Sequence, residues 1–80
     1  MKKVVVKFVS VFAEKLGKQR VYELDDSATL KDLIEVIARE LPDVKAKGVF
    51  YINYRFADEN QVLRDGDEVL VMPLFAGGAR

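Results

Sequence analysis

Cysteine and histidine are both missing from the 80 residues. Their absence removes disulfide frameworks, thiolate nucleophiles, Cys/His zinc sites and the commonest general base. It also fits a reducing cytoplasm, the expected location. Net charge is missing too, because 13 Lys and Arg offset 13 Asp and Glu. A neutral domain has no summed positive field to gather phosphates, so nucleic acid is not expected as a partner. Most charges are interspersed, as in Lys31-Asp32 and Arg39-Glu40, and the early lysines (Lys2, Lys3, Lys7, Lys15, Lys18) are blunted by acidic neighbours. Long apolar runs are also lacking. Met1-Lys2-Lys3 followed by valines imitates a signal peptide, but Lys7 ends the run and no small-residue cleavage site follows. No membrane span is expected. Ser10 and Ser27 have no histidine to activate them, and no glycine-rich loop precedes a helix. Asp65-Gly66-Asp67-Glu68 is acidic but lacks the spacing of a calcium loop and reads as a solvated turn. Catalysis by this chain itself is therefore not expected.

What is present suffices for one small core. Half of the residues are hydrophobic, and a chain this short has room for a single domain. From Lys3 to Val11, Val4, Val6 and Phe8 share one side while Val5, Lys7 and Val9 share the other, the period of a half-buried strand. A helical turn over Phe12–Leu16 and a Gly17-Lys18 turn lead to a second strand, Gln19–Leu24. Thr29 and Asp32 have capping-box spacing. Leu30, Leu33, Ile34, Ile37, Ala38 and Leu41 then form one apolar stripe, predicting a helix over Thr29–Leu41 that Pro42 ends. Val44–Gly48 reads as loop, Val49–Ile52 as a strand, and Arg55-Phe56 as a short piece after Asn53-Tyr54. Asp58–Gln61 is a polar connector, Leu63–Asp67 a turn with Gly66 supplying a positive φ, and Glu68–Met72 the last strand. Strands on both sides of one main helix predict an α+β fold, one mixed sheet wrapped on that helix. With the first and last strands side by side, this is the β-grasp arrangement. The expected organisation is a domain over residues 1–74 and a flexible tail over 75–80.

The tail reads Met72-Pro73-Leu74-Phe75-Ala76-Gly77-Gly78-Ala79-Arg80. Two adjacent glycines carry no side chain to clash in a narrow channel, so they suit a segment threaded into another protein. Other stretches fit a pattern with this tail. They are Val6-Lys7-Phe8-Val9 with Phe12–Gly17, Ala28-Thr29-Leu30-Lys31-Asp32-Leu33, Ile52-Asn53, Leu63-Arg64-Asp65-Gly66-Asp67-Glu68-Val69, and Pro73 through Gly78. In this order and spacing the chain resembles the MoaD/ThiS family of ubiquitin-like sulfur carriers, and within it the small subunits of molybdopterin synthase.

The resemblance implies a mechanism in which the catalytic groups belong to partners. An E1-like enzyme would adenylate the Gly78 carboxylate with ATP, and sulfur would replace the adenylate as a thiocarboxylate. A large molybdopterin synthase subunit would receive the tail and pass the sulfur to a pterin precursor. The chain would bind no cofactor itself; Gly78 supplies the acyl carbon and Gly77 the clearance. The resemblance also implies docking through an exposed sheet face, carried here by Val9, Phe56 and Met72, with Pro73 and Phe75 beyond it. Strand parity independently groups Val9 with Lys7 and Met72 with Leu70, away from the helix. Two departures stand out. Pro73-Leu74-Phe75-Ala76 replaces the usual Pro-Pro-Val, and Ala79-Arg80 follow the glycines. Since only a terminal carboxylate can be adenylated, three readings stay open. A maturation protease removes the two residues, or they are foreign to the natural chain, or activation is lost and the domain only binds. The first also admits a ubiquitin-like modifier joined to lysines through Gly78.

Overall fold

The computed structural model describes residues 1–74, and the expectations for 75–80, including Phe75, Gly77 and Gly78, lie outside the described residues. Alternation in the first segment folds as predicted. In strand β1 (Lys2–Phe8), Val4, Val6 and Phe8 are buried while Val5 and Lys7 face the other way. Helix α1 spans Ser10–Leu16, two residues longer at its start than the sequence suggests, and buries Phe12 and Leu16 at i, i+4 spacing. Strand β2 (Gln19–Leu24) returns antiparallel to β1.

Helix α2 covers Leu30–Ala38 and buries Leu30, Leu33, Ile34 and Ile37 against the sheet. Its capping box closes although aspartate is shorter than the preferred glutamate. The Thr29 N–H donates to Asp32 Oδ2 (2.9 Å), and the Asp32 N–H donates to Thr29 Oγ1 (3.3 Å). The helix stops at Ala38 rather than at the predicted Leu41. A Pro42 ring in helical geometry would strike the carbonyl four residues earlier, and the residue before a proline avoids the α region. The chain tightens instead, with both Glu40 and Leu41 donating to the Ile37 carbonyl, and Leu41 still reaches the core.

The segment expected as loop at Val44–Gly48 contains one helical turn, α3 (Val44–Lys47), whose Val44 is fully buried. Strand β3 then begins at Gly48 and runs to Ile52. A side chain at Gly48 would place Cβ 2.6 Å from the Val44 carbonyl oxygen, so the close packing of α3 on β3 requires glycine there. Strand β4 is Arg55–Phe56, and β5 is Glu68–Pro73.

The five strands stand in the order β2-β1-β5-β3-β4. β1 and β5 are parallel and adjacent; all other pairs are antiparallel. One face of this mixed sheet, built from Val4, Val6, Phe8, Phe50, Ile52, Val69 and Val71, closes on α2. That is the β-grasp arrangement. No helix among the described residues is long and apolar enough to cross a membrane.

Among the described residues, one charged side chain joins the core. Lys2 is 4% exposed, and its ammonium donates to the carbonyls of Asp26, Ala28 and Leu63. A single side chain thus ties the start of β1 to the turn before α2 and to the turn before β5.

Candidate functional site

The sheet face turned away from α2 carries the residues expected to dock. β5 runs through its middle, flanked by β1 and β3. Met72 and Leu70 alternate with the buried Val69 and Val71, so both point away from the core, and both are half-buried. Val9 lies one step past the Phe8–Val71 pair, and its N–H reaches the Val71 carbonyl (3.4 Å). Val9 and Met72 therefore meet on one face, as strand parity predicted.

Phe56 lies on the same sheet but two strands from β5, on β4 at the edge, and is 78% exposed. The residues that connect it were missed. Tyr51 pairs with Phe56 on one side and with Leu70 on the other, while Val49 pairs with Met72. The Tyr51 and Phe56 rings pack edge to face, with centroids 6.2 Å apart and planes at 74°. The face thus carries two rows, Lys7–Leu70–Tyr51–Phe56 and Val9–Met72–Val49. Their signal was available: Val49 and Tyr51 alternate with the core residues Phe50 and Ile52.

Pro73 is the last residue of β5, paired with Gly48 and half-buried. Leu74 follows, its N–H donating to the Lys47 carbonyl (2.6 Å). The last described residues therefore lie at the end of the central strand, beside Met72 and Val9.

The acidic turn before β5 is built from its own carboxylates. Asp65 Oδ1 accepts the Lys3 N–H (2.8 Å), and Asp67 accepts the Arg64 N–H (2.8 Å) and the Asn53 amide (3.0 Å). Gly66 takes φ 86°, the positive value anticipated for it. No group of three or more metal-ligating side chains occurs among the described residues.

The β3–β4 turn is unusual. Asn53 and Tyr54 both have positive φ, 51° and 68°, and such a two-residue turn normally places glycine second. Holding a tyrosine there costs about 1 kcal/mol. Its hydroxyl donates to Glu68 Oε2 (2.5 Å), whose carboxylate also faces Lys7 (3.4 Å). The Tyr54 bond, helped by Lys7, holds the Glu68 carboxyl below its ordinary range, and the same bond lifts the Tyr54 phenol above its own. The Glu68 contribution is present above its unfolded value of about 4.3 and is lost as pH falls through the lower folded value. The Tyr54 contribution is present below its unfolded value of about 10 and is lost as pH rises through the higher folded one. Glu68→Ala should lower the phenolate midpoint of one tyrosine in an absorbance titration. That change should vanish in a Tyr54→Phe background.

The chain matches the model of the ThiS family over residues 6–78. No curated protein sequence matches it. Among solved structures, a Pyrococcus furiosus chain described as a candidate molybdopterin converting factor, subunit 1, superposes with a TM-score of 0.80 at 29% identity. That match covers 91% of this chain and 98% of the other. Small archaeal modifier protein 1 of Haloferax volcanii gives 0.79 at 19% identity, covering 95% and 99%, and a Caldiarchaeum subterraneum ubiquitin gives 0.72 at 14%, covering 96% and 98%. These last two show a shared fold. The family match and the sheet order agree, and the chain belongs to the ThiS family, with a ubiquitin-like β-grasp fold.

Proposed function

We propose that the protein is a sulfur carrier for molybdopterin or tungstopterin synthesis, working in the cytoplasm through Gly78. One observation carries the reading: the apolar face of Val9, Met72 and Val49 lies on and beside β5, the strand that leads into the tail. A partner gripping that face would stand beside the strand after which the tail follows in sequence. The family match running through residue 78 supports Gly78 as the working end. An E1-like enzyme would join the Gly78 carboxylate to the α-phosphate of ATP, releasing pyrophosphate. A hydrosulfide-level donor would then attack the acyl carbon and displace AMP, and a large synthase subunit would receive the resulting thiocarboxylate. The chain's own part is to dock and to present a carboxylate. Removal of Ala79-Arg80 would fall to a protease.

The test is the intact mass of the protein from its native cells under conditions that preserve thiocarboxylates. Chains ending at Gly78 with one oxygen exchanged for sulfur are expected. If every molecule retains Ala79-Arg80, the carrier reading is overturned and a binding module remains.

Docking supplies a separate check. Met72 sits at the centre of the face, where a charge would be desolvated by the partner. Met72→Asp should weaken association with the activating enzyme at least ~100-fold, read by calorimetry, with little change in Tm.

The residues after Gly78 favour a second reading, a ubiquitin-like modifier matured by the same cleavage. It predicts a ladder of lysine-linked conjugates in host lysates, which the carrier reading does not.

A further inference from the structure

Beside the docking face, between the β3–β4 hairpin and the turn before β5, an open cleft of about 860 Å³ is lined by residues from both segments. Its walls hold Arg55 on one side and Arg64 on the other. Among the described residues neither guanidinium makes an ion pair or a side-chain hydrogen bond. The fold does pair cations where acids are adjacent: Arg20 meets Glu40 at 2.7 Å and Lys45 meets Glu35 at 2.9 Å. One carboxylate, Asp67, lines the cleft, and its two oxygens are engaged by the Asn53 amide and the Arg64 N–H. Its charge stays in the wall, but among the described residues it pairs with neither arginine fork.

The walls are fixed relative to each other. The Asn53 N–H donates to the Glu68 carbonyl (2.7 Å), its amide binds Asp67 (3.0 Å), and the Glu68 N–H donates back to the Asn53 side chain (3.0 Å). These bonds join the hairpin that carries Arg55 to the turn that carries Arg64. The backbone spacing of the two arginines is thereby set before a ligand arrives, while their side chains order on binding.

We propose that this cleft binds an extended acidic segment of a protein partner, with carboxylates on the arginines and an apolar side chain between them. Guanidinium forks match carboxylates in a two-bond geometry. Phe56 and Val62, 78% and 53% exposed, also line the cleft and supply the apolar contact. A lone small anion would meet the charges but leave that apolar surface in water, and the volume lies in the range that holds much larger ligands. The site does not depend on sulfur chemistry at the tail and stands whether or not the carrier reading does.

The probe is a blocked pentapeptide alternating aspartate and leucine, titrated into the isotope-labelled full chain while backbone amide shifts are followed. Saturable shifts at Arg55, Phe56, Val62 and Arg64 are expected, weakening as salt is raised. The double variant Arg55→Gln/Arg64→Gln should keep a folded spectrum and bind at least tenfold more weakly, and a peptide with lysine in place of aspartate should produce none of these shifts. Equal shifts with inorganic phosphate would overturn the proposal in favour of a small-anion site. Shifts confined to Val9, Met72 and Val49, or undiminished in the double variant, would overturn it as well.

Discussion

A chain ending at Gly78 should form an acyl adenylate with its E1-like enzyme and ATP, while the chain ending at Arg80 should give only background. Pyrophosphate exchange reads the difference directly. The reason is chemical: in the longer chain the Gly78 carbonyl is locked in a peptide bond and offers no carboxylate oxygen to phosphorus. A chain ending at Gly77 separates this account from a looser one. It keeps a terminal glycine and a free carboxylate, but draws that carboxylate back by about 3.5 Å. A misplacement of about 1 Å at a reacting centre can cost about 100-fold. Exchange should therefore fall at least that far in the Gly77-ended chain, although the proposed docking residues Val9 and Met72 are unchanged. Equal exchange by both shortened chains would show that reach does not matter and would sink the assignment of Gly78 as acyl carrier.

The largest effect on stability is expected at Lys2. Its ammonium serves three carbonyls, and the bonds to Ala28 and Leu63 are buried. Lys2→Met retains most of the apolar stem and removes every donor. Each carbonyl stranded away from water costs about 1–3 kcal/mol. Two of them imply a loss of about 3 kcal/mol, and at about 4–8 °C per kcal/mol a domain of this size should melt roughly 15 °C lower. Lys3→Met is the control. Lys3 is exposed, and its ammonium only approaches Glu23 at 3.9 Å, so its removal should shift stability by less than about 0.5 kcal/mol. Comparable melting of the two variants would refute a structural role for Lys2.

The contrast between these neighbouring lysines shows what the sequence could convey. Position 2 lies before the strand read from Lys3 to Val11, and a lysine there is ordinarily read as surface. Its partners, 24 to 61 residues away, are supplied only by the fold. Helix α2 was legible because its nine residues carry a full apolar stripe and a local cap. The single turn of α3 was not, since four residues are too few to display a period. The adjacency of the first and last strands was the condition set for a β-grasp, and the parallel β1–β5 pairing meets it. On the sheet face, the resemblance supplied Val9 and Met72 and strand parity put them away from the helix, but register was needed to bring Tyr51 between Leu70 and Phe56. The arginine cleft is the least legible part. Arg55 and Arg64 look like ordinary surface charge until Asn53 and Asp67 join their two segments.

The place of β5 bears on how the protein withstands force. A tail drawn out of a partner's channel, or unthreaded by an unfolding machine, pulls on Pro73 and so along the axis of β5. That strand is held on both sides, by parallel β1 and antiparallel β3. Its ladder bonds lie across the direction of pull, so the load is shared among them and they must yield together rather than open one at a time. A domain handled by its end is thereby anchored on a strand that is paired along both sides.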